Sequence, residues 1–165
     1  MSATLSGSVL PRRLVSAVIA ALFGLTLALN PIASPNAHAA VTPAVGLRAP
    51  RVVIAQVGVP YRYGGTTPRT GFDCSGLTKY AYARVGHYLP RTANQQLRAS
   101  IRLARTSKGF KGARAGDLVF FLSRGAAYHV GIYAGNWSIY HAPRTGKRVS
   151  KVKLWTSAVV FARVR

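Results

Sequence analysis

The residues able to do covalent chemistry are few. One cysteine, Cys74, stands in the run Asp73-Cys74-Ser75-Gly76. The chain has only two acidic residues, Asp73 and Asp117, against 23 Lys and Arg, so each carboxylate is expected to serve a local purpose. Asp is a good helix N-cap, and a helix starting after Asp73 would put Cys74 in its first turn. There the unpaired backbone N–H groups and the helix dipole favour an anion. This lowers a thiol pKa and enlarges the thiolate fraction, the nucleophilic form. Ser75 and Gly76 are small and leave the sulfur approachable. The plain alternative for a lone cysteine is a buried, inert side chain, which needs no such surrounding motif.

A thiol nucleophile needs a base and a third group to orient that base. The histidines are His38, His87, His129 and His141. His87 follows Gly86 and reads as a solvated helix-end residue. In 129–134, Val130, Ile132 and Ala134 alternate with His129, Gly131 and Tyr133. His129 should therefore face away from the apolar row, with glycine clearing space beside it. His141 lies in the next strand. A three-residue loop, Ala134-Gly135-Asn136, would set Tyr133 opposite Trp137 and His129 directly opposite His141, with Cβ atoms about 4.5–5.5 Å apart. A two-residue loop would put the histidines on opposite faces. The chemistry therefore calls for an odd loop or a bulge.

These side chains must be positioned by a mixed set of elements. Arg51 to Val57 reads as a helix stopped by Gly58, and Tyr61 to Gly71 as irregular and turn-rich. A helix follows Asp73, with Leu77, Tyr80, Ala81, Arg84 and Val85 at helical spacing and Gly86 as its stop. After Pro90, Thr92 to Ala104 reads as helical with Leu97, Ile101 and Ala104 on one face, and Lys108 to Gly116 as a loop. Gly116-Asp117 reads as a turn in which the carboxylate accepts local N–H bonds. Strands are expected at Leu118–Leu122, His129–Tyr133, Trp137–Ala142, Val149–Leu154 and Ala158–Val164. Helices first and antiparallel strands after give an α+β class, one sheet with helices on one side.

At 165 residues the chain is sized for one domain. Arg12 and Arg13, the uncharged run Leu14 to Leu29 and the triplet Ala37-His38-Ala39 read as a secretory signal peptide over 1–39, cut after Ala39. The alternative is a retained anchor, but the run is shorter than the ~20 residues that span a bilayer. The arginine pair is only a weak match to the twin-arginine route. Residues 40–49, with Pro43 and Gly46, read as a short linker, and 50–165 as the working domain. Cleavage would remove two arginines and no acid, lowering the formal charge from +21 to +19. One cysteine excludes an internal disulfide, no Cys/His set has zinc spacing, and two carboxylates cannot build a calcium site. No metal or other cofactor is expected.

Arg98, Arg102 and Arg105 repeat at helical spacing, with Lys108, Lys111 and Arg114 beyond. So large an excess of positive charge points to a polyanionic partner such as a phosphate polymer, an acidic glycan or anionic lipid. Nucleic acid is electrostatically possible, but no recognition motif for it is present.

Six segments then occur in order: Tyr61-Arg-Tyr-Gly-Gly65, Phe72-Asp-Cys-Ser-Gly-Leu77, Leu89-Pro-Arg91 with Gln96, Gly116-Asp-Leu-Val-Phe-Phe121, His129-Val-Gly-Ile-Tyr-Ala-Gly135 and Ile139-Tyr-His-Ala-Pro143. Together they resemble the NlpC/P60 cysteine peptidases of bacterial cell walls, across about residues 48–165. The resemblance implies a reduced papain-like fold. It also implies hydrolysis of peptidoglycan stem peptides, often at the bond from γ-D-glutamate to a diamino acid. By position, it implies Cys74 as nucleophile, His129 as base, His141 as the orienting residue and Tyr61 near the oxyanion hole. It implies substrate contacts from Asp73, Ser75 and Arg91, the first two toward the free amine of the stem peptide. One departure is Ala93, where the family often has serine, which implies a lost substrate contact. Relatives often add a wall-binding module. None is visible here, so targeting is expected from the catalytic domain and its basic surface, acting as a monomer in the cell wall, the periplasm or the medium.

Three other readings compete: a non-catalytic wall-binding protein on the same fold, a thiol amidase or acyltransferase using the same triad, and a basic nucleic-acid binder. The intact Cys, His, His set weighs against the first and the leader against the last. The leader makes its own prediction. N-terminal sequencing of protein recovered outside the cytoplasm should begin at Ala40; a start at Met1 would instead mean a retained anchor.

Overall fold

The computed structural model describes residues 43–106 and 109–165; the expected leader, 1–39, lies outside the described residues. The first helix, α1, spans Pro43–Ile54. It thus begins inside the stretch expected to be a linker and well before Arg51. Proline suits a helix start because its missing N–H has no partner there anyway. Pro50 lies within the helix, and Ala49 and Val53 are fully buried in the main core. That packing outweighs the local signals of Gly46 and Pro50.

A small hairpin, β1 (Thr66–Thr67) and β2 (Gly71–Phe72), leads directly into α2, Cys74–Ala83. The expected cap is present: Asp73 is extended, and its Oδ1 accepts from the Gly76 N–H at 2.7 Å. At the other end Gly86 takes φ +88°, and the His87 N–H closes back on the Tyr82 carbonyl at 2.9 Å. The helix α3 spans Ala93–Ala99, opened by a reciprocal capping box between Thr92 and Gln95.

The helix expected over Thr92–Ala104 therefore stops early. Ser100 turns extended, and β3 (Ser100–Arg102) pairs with the last strand. Ile101 is β-branched and suits a strand; it sits half-exposed opposite Arg163 rather than on a buried helical face. A second short hairpin, β4 (Arg105–Thr106) and β5 (Gly109–Phe110), follows. Arg98, Arg102 and Arg105 consequently belong to a helix end and two different strands. All three are exposed, but they do not form one helical face.

The remaining strands are β6 (Leu118–Ser123), β7 (Ala126–Gly135), β8 (Ser138–His141), β9 (Ser150–Lys153) and β10 (Val159–Val164). With β3 they form a six-stranded antiparallel sheet in the order β3-β10-β6-β7-β8-β9. The helices pack on one face, where Leu77, Ala81, Leu97, Phe120, Val130 and Ile132 are buried together. Val119, Phe121, Ile139, Leu154 and Phe161 form a smaller core on the other face, with Leu103, Phe110 and Ala113 packed against it. This is the α+β arrangement the sequence predicts. Among the described residues, no helix is long and apolar enough to cross a membrane.

The β7–β8 hairpin sets the histidine geometry. Its loop is Asn136-Trp137, with φ of 49° and 55°, the paired positive values of a two-residue hairpin turn. Alone, that loop would send the two histidines to opposite faces. The register shifts between Tyr133 and Gly135, however, leaving Ala134 as the extra residue of a bulge. Beyond it Tyr133 pairs with Ile139 and Ile132 with Tyr140. Continued one step, this register sets Gly131 opposite His141, with His129 diagonal to it on the same face. The expected direct opposition of the histidines is thus replaced by a diagonal, and the bulge supplies the parity.

Asp117 keeps its turn role, accepting the Arg114 N–H at 2.9 Å. It also receives a fork from Arg163 on β10, Nε to Oδ1 and Nη2 to Oδ2, each 2.8 Å. Asp117 is 3% exposed. Arg163→Met should lower unfolding free energy by about 3 kcal/mol in chemical denaturation, because it strands a buried carboxylate. Arg102→Met, on the exposed edge, should change it by less than about 0.5 kcal/mol. Equal effects would remove this fork from the fold's supports.

Candidate active site

The Asp73 carboxylate organises the site. Besides capping α2, its Oδ2 accepts the Gly64 N–H at 3.0 Å, and the Ser75 hydroxyl donates to Oδ1 at 3.3 Å. Arg91 forks onto it, with Nη2 meeting Oδ2 and Nη1 donating to Oδ1 at 3.0 Å. The same Nη1 donates to the Ser75 hydroxyl, also at 3.0 Å. Burial works against the charged form of Asp73, but the Arg91 fork and the Gly76 and Gly64 N–H groups outweigh it and hold the carboxyl below its ordinary value. The sequence places Asp73, Ser75 and Arg91 in one site; the structure joins them in one hydrogen-bonded cluster.

The loop carrying Tyr61 is pressed against the same helix turn. A Cβ on Gly76 would stand 2.0 Å from the Gly65 carbonyl oxygen, so only glycine permits this approach. Gln96, fully buried, ties α3 to the other side: its amide nitrogen donates to the Ser75 and Pro90 carbonyls, each 2.9 Å away, and its oxygen accepts from Thr78 at 2.7 Å.

Cys74 is half-buried at this turn. The expected lowering of its pKa is not found. Burial pushes the thiol above its ordinary value, although N–H groups of Val130 and Ser75 pull it back in part. Desolvation at this helix start outweighs the pull of the backbone N–H groups. Facing the thiol across the cleft, His129 Nε2 and His141 Nδ1 lie 2.9 Å apart, with the rings near perpendicular at 76°. Gly131 makes room: a Cβ there would meet the Tyr140 carbonyl oxygen at 2.9 Å and Ile139 Cδ1 at 3.1 Å. Burial depresses both imidazoles to about 4, and for His129 the neighbouring charge of His141 adds to the effect.

Tyr61, Cys74, Tyr128, His129, His141, Pro143 and Trp155 line one hollow of about 240 Å³. It opens past Tyr61, Cys74 and Tyr128 into a second, of about 410 Å³, that reaches Asp73, Ser75 and Arg91. All seven expected site residues thus line one continuous cleft. Burial raises the Tyr61 pKa, followed by the charges of Cys74 and Asp73, and the phenol stays protonated.

Sequence reasoning missed two of the cleft's walls. Trp155 stacks on Phe121, ring centroids 4.4 Å apart, and its ring lies 5.6 Å from that of His141. Tyr128 precedes His129 and is exposed at the rim. Tyr128 could have been suspected as the neighbour of a candidate base; Trp155, just past the end of an expected strand, carried no local signal. Among the described residues, no group of three or more His, Cys, Asp or Glu could hold a metal ion.

Residues 58–163 match the NlpC/P60 family. The chain belongs to that family. It is 44% identical over 120 residues to the murein DD-endopeptidase MepH of Escherichia coli, which covers 67% of this chain and 42% of that protein. It is 41% identical over 117 residues to the bifunctional muramidase/DL-endopeptidase CwlT of Bacillus subtilis, covering 66% of this chain and 33% of that one. The chain thus spans less than half the length of these relatives. Among solved structures, the NlpC/p60 domain of the peptidoglycan hydrolase SagA superposes with a TM-score of 0.63 at 35% identity, covering 73% of this chain and 98% of that domain. The Mycobacterium tuberculosis peptidoglycan hydrolase RipB gives 0.62 at 29% identity, covering 73% and 64%. The cleft brings together a cysteine and nearby histidines, the set that a cysteine-peptidase active site in an NlpC/P60 relative requires.

The histidine pair makes stability pH-dependent. Both rings are neutral in the folded chain down to about pH 4, whereas 6.5 is the ordinary value. As pH falls from 6.5 to 4, the unfolded chain takes up protons that the folded state refuses. Stability is therefore full above this window and declines through it. Melting temperature should drop between pH 7 and pH 4, and drop less in a His129→Gln, His141→Asn double variant. Equal slopes would mean that the pair is not buried neutral.

Proposed function

We propose that this protein is an exported peptidoglycan hydrolase that cleaves stem peptides by a Cys-His-His thiol mechanism. The observation that carries the reading is the Nε2–Nδ1 bond between His129 and His141 in the cleft that holds Cys74. With Nε2 of His129 engaged by His141, Nδ1 is the nitrogen free to take the thiol proton. Because burial raises the thiol and depresses the imidazole, the resting pair is S–H and neutral His. The proton moves to His129 as sulfur attacks the carbonyl carbon. The protonated Tyr61 phenol donates toward the oxyanion. His129 then gives the proton to the leaving amine, and water attacks the acyl-enzyme with His129 again as base.

The larger hollow takes the acyl side of the substrate. An incoming ammonium would compete with Arg91 for Asp73, because the carboxylate already accepts five hydrogen bonds. The bond favoured is that from γ-D-glutamate to the diamino acid, in keeping with the DL-endopeptidase and the gamma-DL-glutamyl hydrolase among the relatives. The likeness to a DD-endopeptidase favours a second reading, the cross-link between stems. Residues 1–39 would direct export and be cut away. Arg98, Arg102, Arg105 and Lys111, all exposed, would meet anionic wall polymers by charge.

Mass analysis of fragments released from purified peptidoglycan tests the function and separates the two bonds. Cys74→Ala should abolish release, and a thiol alkylator should do the same while a chelator does not. His129→Ala should lose at least about a thousandfold, and His141→Asn less, since another hydrogen-bonding side chain can orient the base. Release by folded Cys74→Ala at the parent rate would sink the mechanism.

A further inference from the structure

The catalytic hollow opens on a second side. Past His141 and Pro143 it reaches a groove of about 530 Å³ lined by Arg144, Lys147, Arg148, Ser150 and Val152 with Gly146. The three cations are exposed and come from one tight turn. Gly146 takes φ +79°, and the Lys147 N–H bonds to the Arg144 carbonyl at 3.1 Å. The turn is fixed to the segment that carries Tyr61: the Tyr61 N–H donates to the Lys147 carbonyl at 2.8 Å, and Arg148 Nη1 donates to the Gly58 carbonyl at 2.8 Å. This groove is therefore held in register with the catalytic hollow.

Its charge has no internal answer. The chain has two side-chain carboxylates, and each is already forked by an arginine, Asp73 by Arg91 and Asp117 by Arg163. No acid lines the groove. The two ends of the cleft thus differ: the Asp73 end is a neutralised ion pair, while this end carries uncompensated cations. On the proposed mechanism, the leaving nitrogen must lie against His129 to receive its proton. The segment it belongs to then runs past the paired ring, His141, toward the cationic turn.

We infer that Arg144 and Lys147 form a subsite for a free carboxylate on the amine-side segment of the substrate. The subsite makes the enzyme select segments in which that carboxylate is ionised over those in which it is amidated. This rests on the proposed peptidase reading. Arg148 is the less available cation, since it is already bonded to Gly58.

The test compares two synthetic stem peptides that share the acyl side and differ only in a carboxylate or a carboxamide on the residue after the scissile bond. The parent should favour the carboxylate by about tenfold in kcat/KM, equivalent to about 1.4 kcal/mol, and less as salt is added. In the Arg144→Gln, Lys147→Gln double variant the ratio should fall to near one. Equal rates for the two peptides in the parent, or a preference that survives in the double variant, would overturn the subsite. A second measurement separates this from failure of the mechanism: binding of the two isolated amine-side fragments, followed by NMR shifts. If neither peptide is cut but the carboxylate fragment still binds better, and only when Arg144 and Lys147 are present, the subsite stands and the peptidase reading falls. No difference between the fragments overturns the subsite as well.

Discussion

One carboxylate holds the working end of this molecule together. Asp73 starts α2, clasps the Gly64 backbone and receives the Arg91 fork, so three chain segments meet on two oxygen atoms. Each segment brings something the site uses: the helix brings Cys74, the loop brings Tyr61, and the Arg91 stretch leads through Thr92 into α3. The surrounding chain is overwhelmingly cationic, and the fold depends on a negative charge kept where its partners converge. A hydrogen-bonded ionic cluster of this kind is costly to break on one side only. It also explains why Gly76 must lack a side chain, since a Cβ there would meet the Gly65 carbonyl oxygen at 2.0 Å and Asp73 Oδ1 at 3.0 Å.

The thiol and the two imidazoles are set against that polar cluster in a drier setting. His129 and His141 are 8% and 6% exposed, with Phe121 and Trp155 stacked beside them. Burial disfavours charge on the thiol and on the imidazoles alike. Both effects act against a standing thiolate–imidazolium pair. On the proposed mechanism, charge develops when a carbonyl arrives to accept it, under a phenol that remains a donor.

Much of this was legible in the sequence where the signal is local. The cap at Asp73, the stop at Gly86, the alternation from His129 to Ala134 and the strands from Leu118 onward need only neighbouring residues to be read. What escaped was decided at a distance. The helix expected to run to Ala104 ends at Ala99 because β10, some sixty residues later, offers Ser100–Arg102 a sheet edge. The helix over Pro43–Ile54 survives Pro50 because Ala49 and Val53 have a core to enter. The Arg91 fork spans 18 residues, and Trp155 reaches the histidines only once the sheet is assembled. The thiol was misjudged for a related reason: a helix start is visible in sequence, and the depth at which it is buried is not.

The bulge at Ala134 gives the hairpin arithmetic a consequence for its tolerance to length change. Side-chain direction along a strand is counted one residue at a time, and the bulge supplies the single step that returns His141 to the face of His129. Losing one residue between Tyr133 and Ile139 would deliver Tyr140 or Ala142 to the place of the second imidazole and turn His141 into the main core. Losing or gaining two would restore the face and alter only the offset. Insertions and deletions in this tip are therefore filtered by whether they are odd or even, and its length is effectively read modulo two by the chemistry below it.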